Sequence, residues 1–150
     1  MDWTVLLTTG FGAVIGVGST LLADQVRWRR DTEDRDREAL RSAYAQYLEA
    51  LTAARDAISQ ASLIDSGDEP EVARTAFLDH GVYIQQYQLE LIAPEQVVGK
   101  AKAAAHALAE YRDVVVSGSR RADVECTAAR RAFRQSREQL MDAMRQALAR

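Results

Sequence analysis

The sequence holds one cysteine, two prolines and two histidines in 150 residues, and each scarcity excludes something. A lone thiol, Cys126, cannot close an intrachain disulfide, which rules out a disulfide framework and suits a reducing compartment. Pro70 and Pro94 are the only prolines, and neither glycine nor proline occurs between Gly18 and Gly67. Nothing there interrupts a long helix. His80 and His106 stand apart, with no His-x-x-His, Glu-x-x-His or Cys-x-x-Cys spacing, so a metal site would have to assemble from distant residues. No G-x-S-x-G elbow occurs. The glycine-rich run that begins at Gly10-Phe-Gly12 lacks the lysine of a phosphate loop. Runs of Val, Ile and Thr are scarce, which disfavours strands. The net charge of -3 supplies no cationic field. The basic pairs Arg120-Arg121 and Arg130-Arg131 lack interleaved aromatics and sit among acids, so nucleic acid is not an expected partner. These absences point to a protein with no cofactor, no metal and no enzymatic activity.

Charge is missing altogether from Trp3 to Ala23, WTVLLTTGFGAVIGVGSTLLA. About 21 uncharged residues is the length a helix needs to cross a hydrocarbon core, and a helix satisfies its own backbone there. A cleaved secretory signal is the rival reading. It is disfavoured by the acidic Asp2 ahead of the run and by Leu21-Leu22-Ala23-Asp24, a poor cleavage site. Arg27, Arg29 and Arg30 flank the inner end, and no Lys or Arg precedes the span. Positive residues favour the cytoplasmic side, so the expected topology is single-pass in the cell membrane, N-terminus outside and the rest cytoplasmic. Trp3 and Trp28 join these arginines as membrane-interface residues. Gly12, Gly16 and Ser19 place small residues on one helix face, a pattern that lets two spans approach closely and self-associate.

The expected domains are an anchor over 1–23, a charged juxtamembrane helical stalk over 24–38 and a cytoplasmic helical bundle over 39–150. In the stalk, Arg27–Asp31, Arg29–Glu33 and Arg30–Asp34 sit at helical i,i+4 spacing, each pair worth roughly 0.2–0.5 kcal/mol. Beyond it, apolar residues recur at alternating steps of four and three. Leu40, Tyr44, Tyr47, Leu51, Ala54, Ile58 and Ala61 form the first stripe, ended by Asp65-Ser66-Gly67-Asp68. Ala73, Phe77, His80, Ile84, Tyr87 and Leu91 form the second, after Pro70, with Gly81 inside it. Val97, Ala101, Ala104, Leu108, Tyr111 and Val115 form the third, after Pro94. Ala122, Cys126, Ala129, Phe133, Ser136, Leu140, Ala143 and Ala147 form the fourth. The fold class is all-α: a transmembrane helix continuing into an up-and-down antiparallel four-helix bundle. The alternative is an extended helical hairpin or coiled coil that dimerises.

On these stripes His80 reads as a hydrogen-bonded core residue, His106 as exposed and Cys126 as a small buried one. Tyr44, Tyr47, Phe77, Tyr83, Tyr87, Tyr111 and Phe133 read as core packing. From Arg120 onward the chain carries eight arginines against Asp123, Glu125, Glu138 and Asp142, whereas Asp65–Ile92 carries six acids against Arg74. The expectation is that these opposite charges pair within the molecule; contact of Arg145 and Arg150 with anionic headgroups is the alternative.

The layout resembles small actinobacterial-type single-pass membrane proteins with an Ala/Arg-rich helical cytoplasmic domain. The resemblance covers layout and composition only, and implies no activity and no site residues. The functional reading is a non-enzymatic, membrane-anchored interaction module, a scaffold, adaptor or regulatory subunit. Its partners would be membrane lipid, an unidentified protein and a second copy of itself. The alternative is an oligomeric membrane-active or channel-forming protein with a cytoplasmic gating bundle.

Overall fold

In the computed structural model residues 34–63 and 69–149 are described. Trp3, Gly12, Gly16, Ser19, Arg27, Trp28, Arg29 and Arg30 lie outside the described residues, as does the stop at 65–68. Among the described residues every regular element is a helix, and none is long and apolar enough to cross a membrane. The elements are α1 (34–61), α2 (Glu69–Asp79), α3 (Val82–Ile92), α4 (Glu95–Val116) and α5 (Val124–Leu148). Leu40–Arg150 is one compact unit, distinct from Met1–Ala39, and it forms a helical bundle.

The first, third and fourth stripes bury much as their spacing requires. Tyr44, Tyr47, Leu51, Ala54, Ile58 and Ala61 of α1 lie in the core, with Leu40 at its margin. All six expected residues of α4 are buried. So are Cys126, Phe133, Leu140 and Ala143 of α5, while Ala129, Ser136 and Ala147 are half-buried. α5 starts at Val124, later than Arg120, because residues 117–123 form the turn, and this leaves Ala122 exposed. The Asp123 carboxylate accepts the Arg120 N–H at 2.6 Å, which holds that turn. Pro94 stands just outside α4 as its N-cap, and its carbonyl accepts the Val97 and Val98 N–H groups.

α1 and α4 meet in the core. Ala101, Ala104, Ala105 and Ala107 give α4 thin faces, and the Tyr47 hydroxyl of α1 donates to the Ala101 carbonyl at 2.9 Å. α2 and α3 pack on α4 from one side; α5 packs on α4 and touches neither α2 nor α3. The Arg121 N–H donates to the Ser62 carbonyl at 3.2 Å, tying the α4–α5 turn to the end of α1.

The second stripe departs from expectation. One helix does not run through Gly81. The chain breaks at His80-Gly81, where Gly81 takes φ +65°, a left-handed conformation that glycine adopts without steric cost. After the break the buried residues are Val82 and Leu89, two positions ahead of Ile84 and Leu91. At 3.6 residues per turn, two positions rotate α3 by about half a turn. Ile84, Tyr87 and Leu91 therefore face outward, while His80, before the break, is exposed beside Gln46 and Glu49 of α1; this corrects the stripe and the reading of His80 as a core residue.

Two glycines with open space around them predict opposite signs. An added Cβ meets nothing within 4 Å at Gly81 or Gly99. Gly81→Ala must still hold the left-handed conformation, at about 1–2 kcal/mol. Gly99 lies inside helical α4, so Gly99→Ala should stabilise by about 0.5–1 kcal/mol. Urea unfolding of both variants checks the pair.

Candidate functional site

The half-turn rotation gives α3 two apolar faces. Val82 and Leu89 fill the core, while on the far side Ile84 is 62% exposed, Tyr87 65% and Leu91 84%. Leu78 at 71% precedes the break, and Ile92 at 50% ends the helix. Tyr83 is held at the edge, its ring centroid 5.5 Å from Phe77, over which the Arg112 guanidinium sits at 5.0 Å. Tyr83 and Tyr87 are thus surface residues, against the expectation of core packing; Tyr44, Tyr47, Phe77, Tyr111 and Phe133 are core.

The outer face of α3 also lacks charge. Glu90 is the helix's one ionisable acid, and it is turned aside and paired. It accepts the Gln86 amide at 3.0 Å and meets Lys102 of α4 at 3.2 Å. The Gln86 hydrogen bond first, and Lys102 after it, hold its carboxyl below the ordinary range. Together the outward apolar side chains make a patch on the order of several hundred Å², on a helix whose opposite side is also apolar, and a helix apolar on both sides is normally covered.

The remaining candidates carry no ligand chemistry. His80 is exposed at the break. His106 is exposed, as expected, and lies 3.4 Å from Glu110. Cys126 is buried, and burial pushes its thiol up, while the neighbouring Tyr111 hydroxyl and Arg130 offset this only in part. No group of three metal-capable side chains occurs among the described residues.

Among the described residues α5 makes no contact with α2 or α3, so the acids Glu71, Asp79 and Glu90 of those helices do not meet the arginines of α5; Asp65 and Asp68 lie outside the described residues. Arg130, Arg134 and Arg137 of α5 turn instead toward α1, around a cavity lined by Arg55, Ser59 and Phe133 among others. The stripes gave no sign of this groove. The sequence signal for it was the spacing of Arg130, Arg134 and Arg137 on one helix face.

Tyr47 gives the bundle a pH limit. Burial first, and the nearby Glu90 charge second, push its hydroxyl far above the ordinary 10.0, and burial raises Tyr44 as well. Above about pH 10 the unfolded chain releases these protons while the native state keeps them. The native state then binds more protons, so stability falls as pH rises, by up to about 1.4 kcal/mol per pH unit for each group. The urea midpoint should hold up to about pH 9 and drop by about pH 11. Tyr47→Phe should be less stable at neutral pH by about 1 kcal/mol, with a shallower alkaline decline. An equal decline in the variant would remove Tyr47 from this account.

No family model, curated protein or solved structure shows a significant match to this chain.

Proposed function

We propose that the protein is a non-enzymatic, membrane-anchored helical interaction module on the cytoplasmic face, whose bundle pairs with a second copy of itself along α3. The observation that carries the reading is the doubly apolar α3. Three features favour a second copy as its occupant. The patch is uncharged, so setting it against itself brings no like charges together. It is also self-complementary: in an antiparallel pair centred between Tyr87 and Gln88, Ile84 meets Leu91, Tyr83 meets Ile92, and Tyr87 meets Gln88. An isologous two-fold contact requires that kind of pattern. The third feature is the acidic segment 65–92, with Arg74 as its only arginine. Helices that lie on anionic lipid carry Lys and Arg on their polar face, so lipid is the poorer occupant.

A patch of this size falls at or below the ~800 Å² per partner of a standard interface. Anchoring makes it sufficient, because two chains held in one membrane meet at high effective concentration. The uncharged span supports the anchor. The arginines at 27, 29 and 30 support the cytoplasmic placement.

Fractionation of cells that make the full chain tests the anchor. The chain should stay in the membrane pellet through an alkaline wash. A C-terminal tag should resist protease added to intact cells and be lost after lysis. Recovery in the soluble fraction, or of a mature product lacking the first two dozen residues, would overturn the membrane placement.

A further inference from the structure

The cavity between α1 and α5 is walled by guanidinium groups. Arg130, Arg134 and Arg137 project from α5, Arg55 from α1, and Arg121 from the turn before α5. Among the described residues no carboxylate lines it. Arg55 has a neighbouring acid, Asp56, at 3.1 Å, and Arg121 donates to Ser59 Oγ at 3.3 Å. The three on α5 have no ion pair among the described residues. Glu138, one turn beyond Arg134, does not engage it, while Asp142 is taken by Arg145 at 2.6 Å. The Nε of Arg137 is shut off from solvent with no hydrogen-bond partner.

Such a cluster is costly when empty. Arg130 and Arg134 are four apart and Arg134 and Arg137 three apart, spacings at which like charges on a helix repel. A buried donor without an acceptor adds to the cost. The acids Glu71, Asp79 and Glu90, which could have neutralised α5, lie on helices that do not contact it. An anion in the cavity would remove each of these costs at once.

We infer that this cavity is a binding site for a phosphate group, taken as a monoester or as pyrophosphate. Planar guanidinium forks match phosphate oxygens two at a time, and arginines from two helices and a turn line one cavity. The cavity is about 140 Å³, the share of roughly four to five waters. That admits one or two phosphoryl groups and falls short of the ~300 Å³ at which sites for larger small molecules begin. Phe133 is buried among the lining residues, which leaves the arginines and the Ser59 hydroxyl as the polar partners among the described residues. The phosphate can come free in solution or as a lipid headgroup, and the site takes the same group in either case. It stands apart from the α3 face and does not rest on self-pairing.

The test uses the purified full-length chain with two probes. One is inorganic pyrophosphate. The other is phosphatidylcholine nanodiscs with or without phosphatidic acid. Each probe is read as a shift in the unfolding midpoint, for wild type and for Arg130→Gln, Arg134→Gln and Arg137→Gln. Arg131→Gln and Arg145→Gln remove the same charge from α5 outside the cavity. Stabilisation by either probe is expected, weakened about tenfold in apparent affinity by each cavity variant and little changed by the two controls. A response to pyrophosphate assigns the free ligand. A response to phosphatidic acid alone assigns the headgroup. The cavity variants should also unfold at a slightly higher midpoint than wild type without any probe, since each relieves repulsion. Loss of response to the same extent in the controls, or no response to either probe, overturns the site.

Discussion

Tyr47→Ala is expected to lower the unfolding free energy by about 3–5 kcal/mol, the range for emptying a buried aromatic position. Tyr47 is fully buried at the contact of α1 with α4. Its ring fills the space between the two helices, and its hydroxyl joins them through the Ala101 carbonyl. Truncation leaves a cavity and an α1–α4 contact held by apolar surface alone. In a chain of this size the unfolding midpoint should fall by roughly 10 °C or more. Tyr87→Ala makes the same chemical change where the ring is mostly exposed, and should cost less than about 1 kcal/mol in the monomeric bundle. Thermal and urea unfolding of the two variants decide the matter. Equal losses at both positions would mean that the core is not where it is placed here.

The second large effect concerns association. Ile84→Glu with Leu91→Glu puts two carboxylates on the outer face of α3, and in a two-fold pair each sits opposite the partner's other one. Desolvating charge at the centre of a contact costs at least ~2 kcal/mol per position, or about thirtyfold, and like charges add to it. Because both copies carry both changes, the double variant should lose self-association by well over about a thousandfold. Its thermal midpoint should barely move, because neither side chain contributes to the core. Light scattering or sedimentation of the full-length chain reads the first quantity, and circular dichroism the second. An unchanged association would show that another surface holds the copies together.

Much of the bundle was legible because the heptad spacing leaves little choice. Leu51 to Ile58, Val97 to Val115 and Cys126 to Leu140 can bury their apolar residues on only one helix face. The break at Gly81 was not legible in the same way. A glycine inside a helix and a glycine in a left-handed turn are the same letter, and Phe77, Ile84 and Leu91 continue the stripe across it without a gap. A weaker sign was present: Val82 and Leu89 also stand seven apart, so the segment offered two apolar faces and the spacing alone could not choose between them. The core took Val82 and Leu89.

The neighbour of the basic face was not legible for a related reason. The arginines of α5 do not meet the acids Glu71, Asp79 and Glu90, because α2 and α3 pack on α4 and not on α5. Which helix lies beside α5 is a property of the tertiary arrangement. The stacking of Arg130, Arg134 and Arg137 on one face could be read from the sequence. That Arg55 and Ser59 of α1 would stand opposite could not.

Self-pairing along α3 is tested most directly by a cysteine at its centre. In Gln88→Cys the new thiols of two copies lie close to the two-fold axis, and Cys126 is buried out of reach. Membranes from cells making the full-length variant are washed at alkaline pH and treated with a short thiol crosslinker. A covalent homodimer is predicted in the washed membranes with Gln88→Cys, and none with Ala128→Cys on the exposed side of α5. Monomer alone with Gln88→Cys, or equal dimer at both positions, would contradict the account.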